Sequence, residues 1–185
     1  MNAFVTSDQH FGHEKIIDYA HRPFSSLEEM NLAMVEGWNA VVGDEDLVWH
    51  LGDLFWTPEA AREFGPMLKG SINLLNMPWH HDGHWLFEVD QAEIPNIRLV
   101  SPIQVTAWRE YSRDGKHPLF VTMTHFPMEE WQASYHGGIH IHGHTHTPGL
   151  GHGPHRFNVC VDATGFVPLN IESIFELDTR WWAEE

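Results

Sequence analysis

The stretch Phe4-Val5-Thr6-Ser7-Asp8-Gln9-His10-Phe11-Gly12-His13 decides how this chain is read. Residues 2–7 are few, apolar and rich in β-formers, which predicts a strand. A carboxylate and an imidazole follow at once, two positions apart. On an extended chain such residues point to one side, so Asp8 and His10 can grip one ion. A lone Asp-x-His is ordinary surface decoration, so the weight falls on what ends the other strands.

The pattern recurs along the chain. A strand predicted at residues 46–51 runs into Gly52-Asp53, where glycine lets the backbone turn sharply and present a carboxylate. A strand at residues 71–77 leads to Trp79-His80-His81-Asp82. A strand at residues 119–124 delivers His125, and one at residues 138–142 runs into Gly143-His144-Thr145-His146. Open α/β sheets bind ligands outside the carboxyl ends of their strands. Five strand ends offering Asp or His therefore predict a metal site.

Helices separate the early strands. Ser26-Leu27-Glu28-Glu29 has the form of a capping box. Behind it Leu27, Met30, Met34, Trp38 and Val41 recur every three or four residues, the period of an amphipathic helix. Thr57-Pro58-Glu59 opens a second helix, expected to end near Lys69-Gly70. Residues 14–21 suggest a turn or short helix and residues 127–134 another short helix. Residues 97–108, 157–162 and 171–177 read as further strands. The whole is an α/β chain with a mixed sheet or two sheets, read as one domain over residues 1–185.

Composition bounds the function. With 185 residues the chain can bury a real core. There are 26 acidic against 10 basic side chains, a net charge of −16, which repels phosphate backbones and disfavours long nucleic acid. Neither a membrane span nor a signal peptide is visible, so the expected place is the cytoplasm. One cysteine, Cys160, excludes an internal disulfide and a cysteine-based zinc site, and reads as a small buried apolar residue. The 16 histidines never run longer than the pair His80-His81, so they are not a tag. Mixed histidine and carboxylate ligands suit borderline transition ions, whereas calcium and magnesium prefer oxygen shells. Seven ligand-type groups exceed the needs of one tetrahedral ion and match two ions sharing a carboxylate. Nothing in the sequence sets an oligomeric state.

In order, Asp8-Gln9-His10, Gly52-Asp53, His80-His81-Asp82, Thr124-His125 and Gly143-His144-Thr145-His146 resemble the five motifs of the calcineurin-like metallophosphoesterases. Arg22-Pro23-Phe24 and Trp49-His50-Leu51-Gly52-Asp53 look like the small single-domain members of bacteria and phages. The resemblance spans residues 4 to about 165. It implies a four-layer α/β/β/α sandwich of two mixed sheets flanked by helices. It implies that Asp8, His10 and His146 hold a first metal, that Asp53 bridges, and that His125 and His144 hold a second. The cofactors would be two divalent ions such as Mn, Fe, Zn or Ni. A bridging hydroxide would attack a small phosphoester, either a phosphomonoester, a nucleotide or a phosphodiester.

One motif departs from the family, whose third motif is Gly-Asn-His-Asp. The simplest register makes His80 the replacement ligand and His81 the general acid, with Asn76 and His84 as their rivals. An imidazole in place of an amide favours softer ions. His13 and Arg22 are candidates for contact with the substrate phosphate. Asp162 and His142 are candidates for orienting ligand histidines. Two other readings accompany the phosphoesterase: a nuclease or cyclic-nucleotide diesterase, and a non-catalytic metal- and partner-binding member of the fold.

Overall fold

The computed structural model describes residues 1–182. Two mixed β-sheets flanked by helices make up the fold. The first sheet has the order β4-β3-β2-β1-β9. Here β1 is Ala3–Thr6, β2 Leu47–His50, β3 Ser71–Leu75, β4 Ile97–Val100 and β9 Leu169–Asn170. Strands β1 to β4 are parallel and β9 is antiparallel to β1. The second sheet has the order β5-β6-β7-β8, with β5 Ile103–Trp108, β6 Leu119–Thr124, β7 Ile139–His142 and β8 Arg156–Asn158. Its last three strands are parallel and β5 is antiparallel to β6.

Register brings the ligand-bearing turns together. Thr6 pairs with His50, and His50 with Leu74, so β1, β2 and β3 end side by side. The two sheets are stitched at this same edge. Ser7 bridges to Cys160, and the Val161 amide donates to the Ser7 carbonyl at 3.0 Å. The Gly143 amide donates to the His125 carbonyl at 2.9 Å, joining the ends of β6 and β7.

Two apolar clusters hold the layers. Helices α2 (Leu27–Val41), α3 (Pro58–Phe64) and α4 (Gly83–Leu86) set Met30, Met34, Trp38, Ala61, Phe64 and Trp85 against Phe4, Val48, Ile72 and Leu74. Between the sheets, Val5, Leu51 and Leu75 meet Val121, Met123, Ile139 and Ile141, joined by Ile171, Ile174 and Phe175 of α6 (Ile171–Trp182). Fully burying such a side chain contributes roughly 1.5–3 kcal/mol. Two short helices, α1 (Ile16–Tyr19) and α5 (Val161–Thr164), complete the helical set among the described residues. None of the described helices is long and apolar enough to cross a membrane.

Several local expectations need correction. Residues 97–108 are two strands in different sheets, because Pro102 lacks a ladder donor and turns the chain between them. Residues 171–177 form helix, not strand. The buried Ile171, Ile174 and Phe175, with Asp178 just beyond, recur three and four apart, and Asn170 Oδ1 caps the Glu172 amide at 2.9 Å. Residues 157–162 leave the sheet after Asn158 and enter α5. The second helix stops at Phe64, where Pro66 tightens it into a 3-10 turn of Gly65–Met67. Residues 127–134 are irregular, with a 3-10 turn at Ser134–His136. The capping box at α2 is half as expected: Ser26 accepts from the Glu29 amide at 3.1 Å, but Glu29 reaches back to the Ser25 amide at 2.7 Å.

Candidate metal centre

Five of the turn residues sit in the left-handed region: Asp8 (φ 65°), His10 (56°), Asp53 (58°), His144 (70°) and His146 (45°). Such backbone costs an L residue free energy, least for Asp, Asn and His, and clusters where function requires it. Here it throws each side chain off the end of its strand towards a shared centre. Two glycines make room. A Cβ on Gly143 would collide with Ser7 and Asp8, and one on Gly52 (φ 114°) with Met77 and His125.

The side chains converge. His10 Nε2 lies 3.4 Å and His125 Nε2 3.6 Å from Asp53 Oδ2. His80 Nδ1 lies 2.7 Å from Asp53 Oδ1, and His146 Nε2 lies 3.7 Å from Asp8 Oδ1. Asp8, His10 and Asp53 form one potential ligand set, and His80, His125 and His144 another. Asp53 and His80 also group with His81, and Asp8 and His146 with Cys160. All seven predicted ligands thus belong to one contiguous cluster.

Charge and hydrogen bonding test whether cations fit there. Asp8 Oδ1, His10 Nε2 and His125 Nε2 are buried without a hydrogen-bond partner. A buried orphaned lone pair is expensive, and these three are aimed into the cluster. Burial, reinforced by Asp8 and Asp82, pushes the Asp53 carboxyl up to about 7 against the pull of His80. Burial opposes charge on Asp8 too, but His125 and His146 outweigh it and lower its pKa. Burial, aided by His146 and Arg22, drives the His10 imidazole well below its ordinary value, and burial takes His125 down to about 4. Neutral imidazoles and crowded carboxylates are what a divalent ion requires of its ligands. The residues present therefore fit metal.

A scaffold of polar side chains fixes the cluster. His125 Nδ1 faces the Leu51 carbonyl at 3.1 Å, which leaves Nε2 for the centre. His146 Nδ1 meets Asp162 Oδ2 at 2.7 Å, and Arg22 grips the same carboxylate at 2.9 and 3.0 Å. This carboxylate–imidazole pairing sets the tautomer and direction of a ligand ring. Burial would raise the Asp162 carboxyl, but His146 and Arg22 hold it at about 2.

The structure gives Arg22 a positioning task instead of the expected substrate contact. It is buried, and besides Asp162 it donates to the Asp8 carbonyl at 2.7 Å, to the Gln9 carbonyl at 2.8 Å and to Met30 Sδ at 3.5 Å. All five of its N–H groups are thereby engaged. His13 is also largely enclosed, stacked face to face on Trp56 at 3.7 Å and 5.3 Å from the His10 ring. His142 is buried with Nδ1 2.9 Å from the Gly143 carbonyl, so it braces the turn ahead of His144. His81 lies at the rim, 4.4 Å from the His80 ring and 5.6 Å from that of His10, with His84 beyond it at 6.5 Å.

Two contributors escape the sequence reading. Asp82 is fully buried and accepts from the Asp53 amide at 2.7 Å, the Leu54 amide at 3.1 Å and the Trp85 indole at 2.9 Å. It is the anchor that holds the Asp53 turn. Cys160 is buried as expected, but its Sγ lies 3.2 Å from Asp162 Oδ2 and 3.5 Å from His146 Nδ1. Its position two residues before Asp162 at a strand end was the available signal.

Fold and site together define an α/β protein of two mixed sheets with a histidine–carboxylate cluster, fit for metal, at their common edge. The chain is 30% identical over 183 residues to the uncharacterized protein MJ1445 of Methanocaldococcus jannaschii, covering 94% of this chain and 89% of the relative. The chain belongs to the family of that protein. No protein-family model matches it. Among solved structures it shares its fold with a protein of unknown function, AQ665 from Aquifex aeolicus, at a TM-score of 0.66 and 18% identity over 95% of this chain and 98% of that one. An archaeal phosphodiesterase is similar only at a TM-score of 0.45 and 16% identity over 86% of this chain and 82% of that one, too loosely to speak to activity.

Proposed function

We propose that the chain is a dinuclear metal-dependent phosphoesterase acting on a small phosphoester. The observation that carries this reading is the set of orphaned buried atoms, Asp8 Oδ1, His10 Nε2 and His125 Nε2, gathered round the charge-starved Asp53. In this reading Asp8, His10 and His146 would hold one ion, His80, His125 and His144 would hold another, and Asp53 would serve both. Two such ions neutralise phosphoryl oxygens and supply a nucleophile at neutral pH. The chain does the rest. Asp82 and Arg22 fix the two turns that carry Asp53 and Asp8. Asp162 aims His146. His81 stands at the mouth to give a proton to the departing oxygen. Burial and His80 lower its pKa to about 4, so an anionic substrate must sit beside it to charge it. The imidazole of His80, where an amide would stand, favours Fe, Zn or Ni over Mn. The net charge of −16 disfavours long polyanions.

The test strips the protein of metal and assays p-nitrophenyl phosphate and bis-p-nitrophenyl phosphate with Mn, Zn, Ni and Fe. Turnover should return only with metal, and Asp53→Asn should abolish it. Preference for the diester would point to a phosphodiesterase. The replacement of Gly-Asn by Trp79-His80 keeps a second reading alive, a metal-binding member without catalysis. Bound metal with no turnover of either ester would favour that second reading.

A further inference from the structure

Exposed aromatic rings stand at the rim of the centre. Phe126 directly follows the ligand His125 and stays 40% exposed. Its ring stands near-perpendicular to His80 and His125, at 5.2 and 4.8 Å, and tilted against His144 at 4.6 Å. It therefore touches every imidazole of one ligand set while keeping an open side. Its backbone is pinned where the Thr124 hydroxyl donates to the Phe126 carbonyl at 2.6 Å. Trp79, 68% exposed beside His80, adds a second open ring by sequence position. Trp56 offers no comparable surface, because it is packed between the rings of His13, His81 and His84. Nor does Arg22 offer a cationic clamp, since its donors are all engaged within the protein. Phe126 and Trp79 thus offer apolar surface beyond the reacting phosphate.

We propose that Phe126 is the specificity wall of the centre and that the substrate is a single-phosphate ester whose esterified group carries a planar aromatic or heteroaromatic ring. The proposal rests on the phosphoesterase reading. Ring-on-ring contact gives an advantage of about three- to tenfold in affinity over a small alkyl group.

Titration calorimetry on the metal-loaded protein tests it with inorganic phosphate, methylphosphonate and phenylphosphonate, which are not hydrolysed. Phenylphosphonate should bind three- to tenfold more tightly than methylphosphonate. In Phe126→Ala that ratio should fall to about one. Phe126→Leu should fall between. A wild-type ratio of one, with phosphate still bound, overturns the proposal and leaves the phosphoesterase reading standing. So does a Phe126→Ala variant that weakens all three ligands equally, since Phe126 would then be only a dry cover over the histidines. Failure of inorganic phosphate to bind at all overturns the phosphoesterase reading itself, and this proposal with it.

Discussion

At the scale of single residues the centre divides into atoms that face it and atoms that hold them there. His80 and His81 are neighbours in the chain with different surroundings. His80 is bonded to Asp53, which raises its pKa, whereas burial and His80 lower that of His81. The two should answer differently to one substitution. His80→Asn restores an amide ligand and should retain turnover with Mn while losing preference for Zn. His81→Asn should lose rate by about 10²–10⁴-fold, the usual worth of general acid catalysis, with metal content unchanged. Metal analysis alongside turnover checks the pair, and loss of metal in His81→Asn would reverse the assignment. The residues facing the centre were legible in the sequence because carboxylate and imidazole recur after strands. Asp82 was legible only as part of a motif. Its task, accepting from the backbone of the Asp53 turn, is invisible until the turn is folded.

At the scale of elements, the strand-end turns are strained and closely packed, and glycine is what permits it. Gly143→Ala would drive a methyl into Ser7 and Asp8, both fully buried. Overpacking of this kind costs about 1–3 kcal/mol. Urea denaturation should show that loss, and the metal-free variant should bind its first ion more weakly. A variant as stable and as metal-avid as wild type would mean that the β7 turn is looser than described. Asp162→Asn should also weaken the first ion, by about 10–100-fold, through the misdirected His146 ring. Calorimetric titration of metal would measure it. Parallel strands joined by helices were readable from period and caps. The elements misread were those decided by tertiary packing. Residues 171–177 are equally apolar as strand or helix, and their burial in the cluster between the two sheets decides for helix.

At the scale of the molecule, buried histidines make stability depend on pH. Burial lowers His50 to about 3 and His140 and His142 to about 4. In the unfolded chain each returns to about 6.5, so below that pH the unfolded state binds more protons. Their contribution is fully present above pH 6.5 and is lost as pH falls towards 4. At pH 5 each should cost roughly 2 kcal/mol, offset in part by Asp53, whose raised pKa acts in the opposite sense. With chelator present, the urea midpoint should therefore fall between pH 6.5 and 5, and a flat or rising midpoint would contradict this. The large negative charge has a place in the same account. Two divalent ions, each carrying two positive charges, would take the net charge from −16 to −12 and concentrate the gain at one mouth. Such an acidic surface would disfavour long polyanions while the loaded centre would attract one small phosphate.

On the proposed reading, seven side chains from five strand ends would hold two ions about one carboxylate. Counting bound metal tests it most directly. After loading and exhaustive dialysis, elemental analysis should find two ions per wild-type chain and fewer than one per Asp53→Asn chain. Two ions retained by Asp53→Asn, or no tightly bound metal in the wild type, would rule out a dinuclear centre built on Asp53.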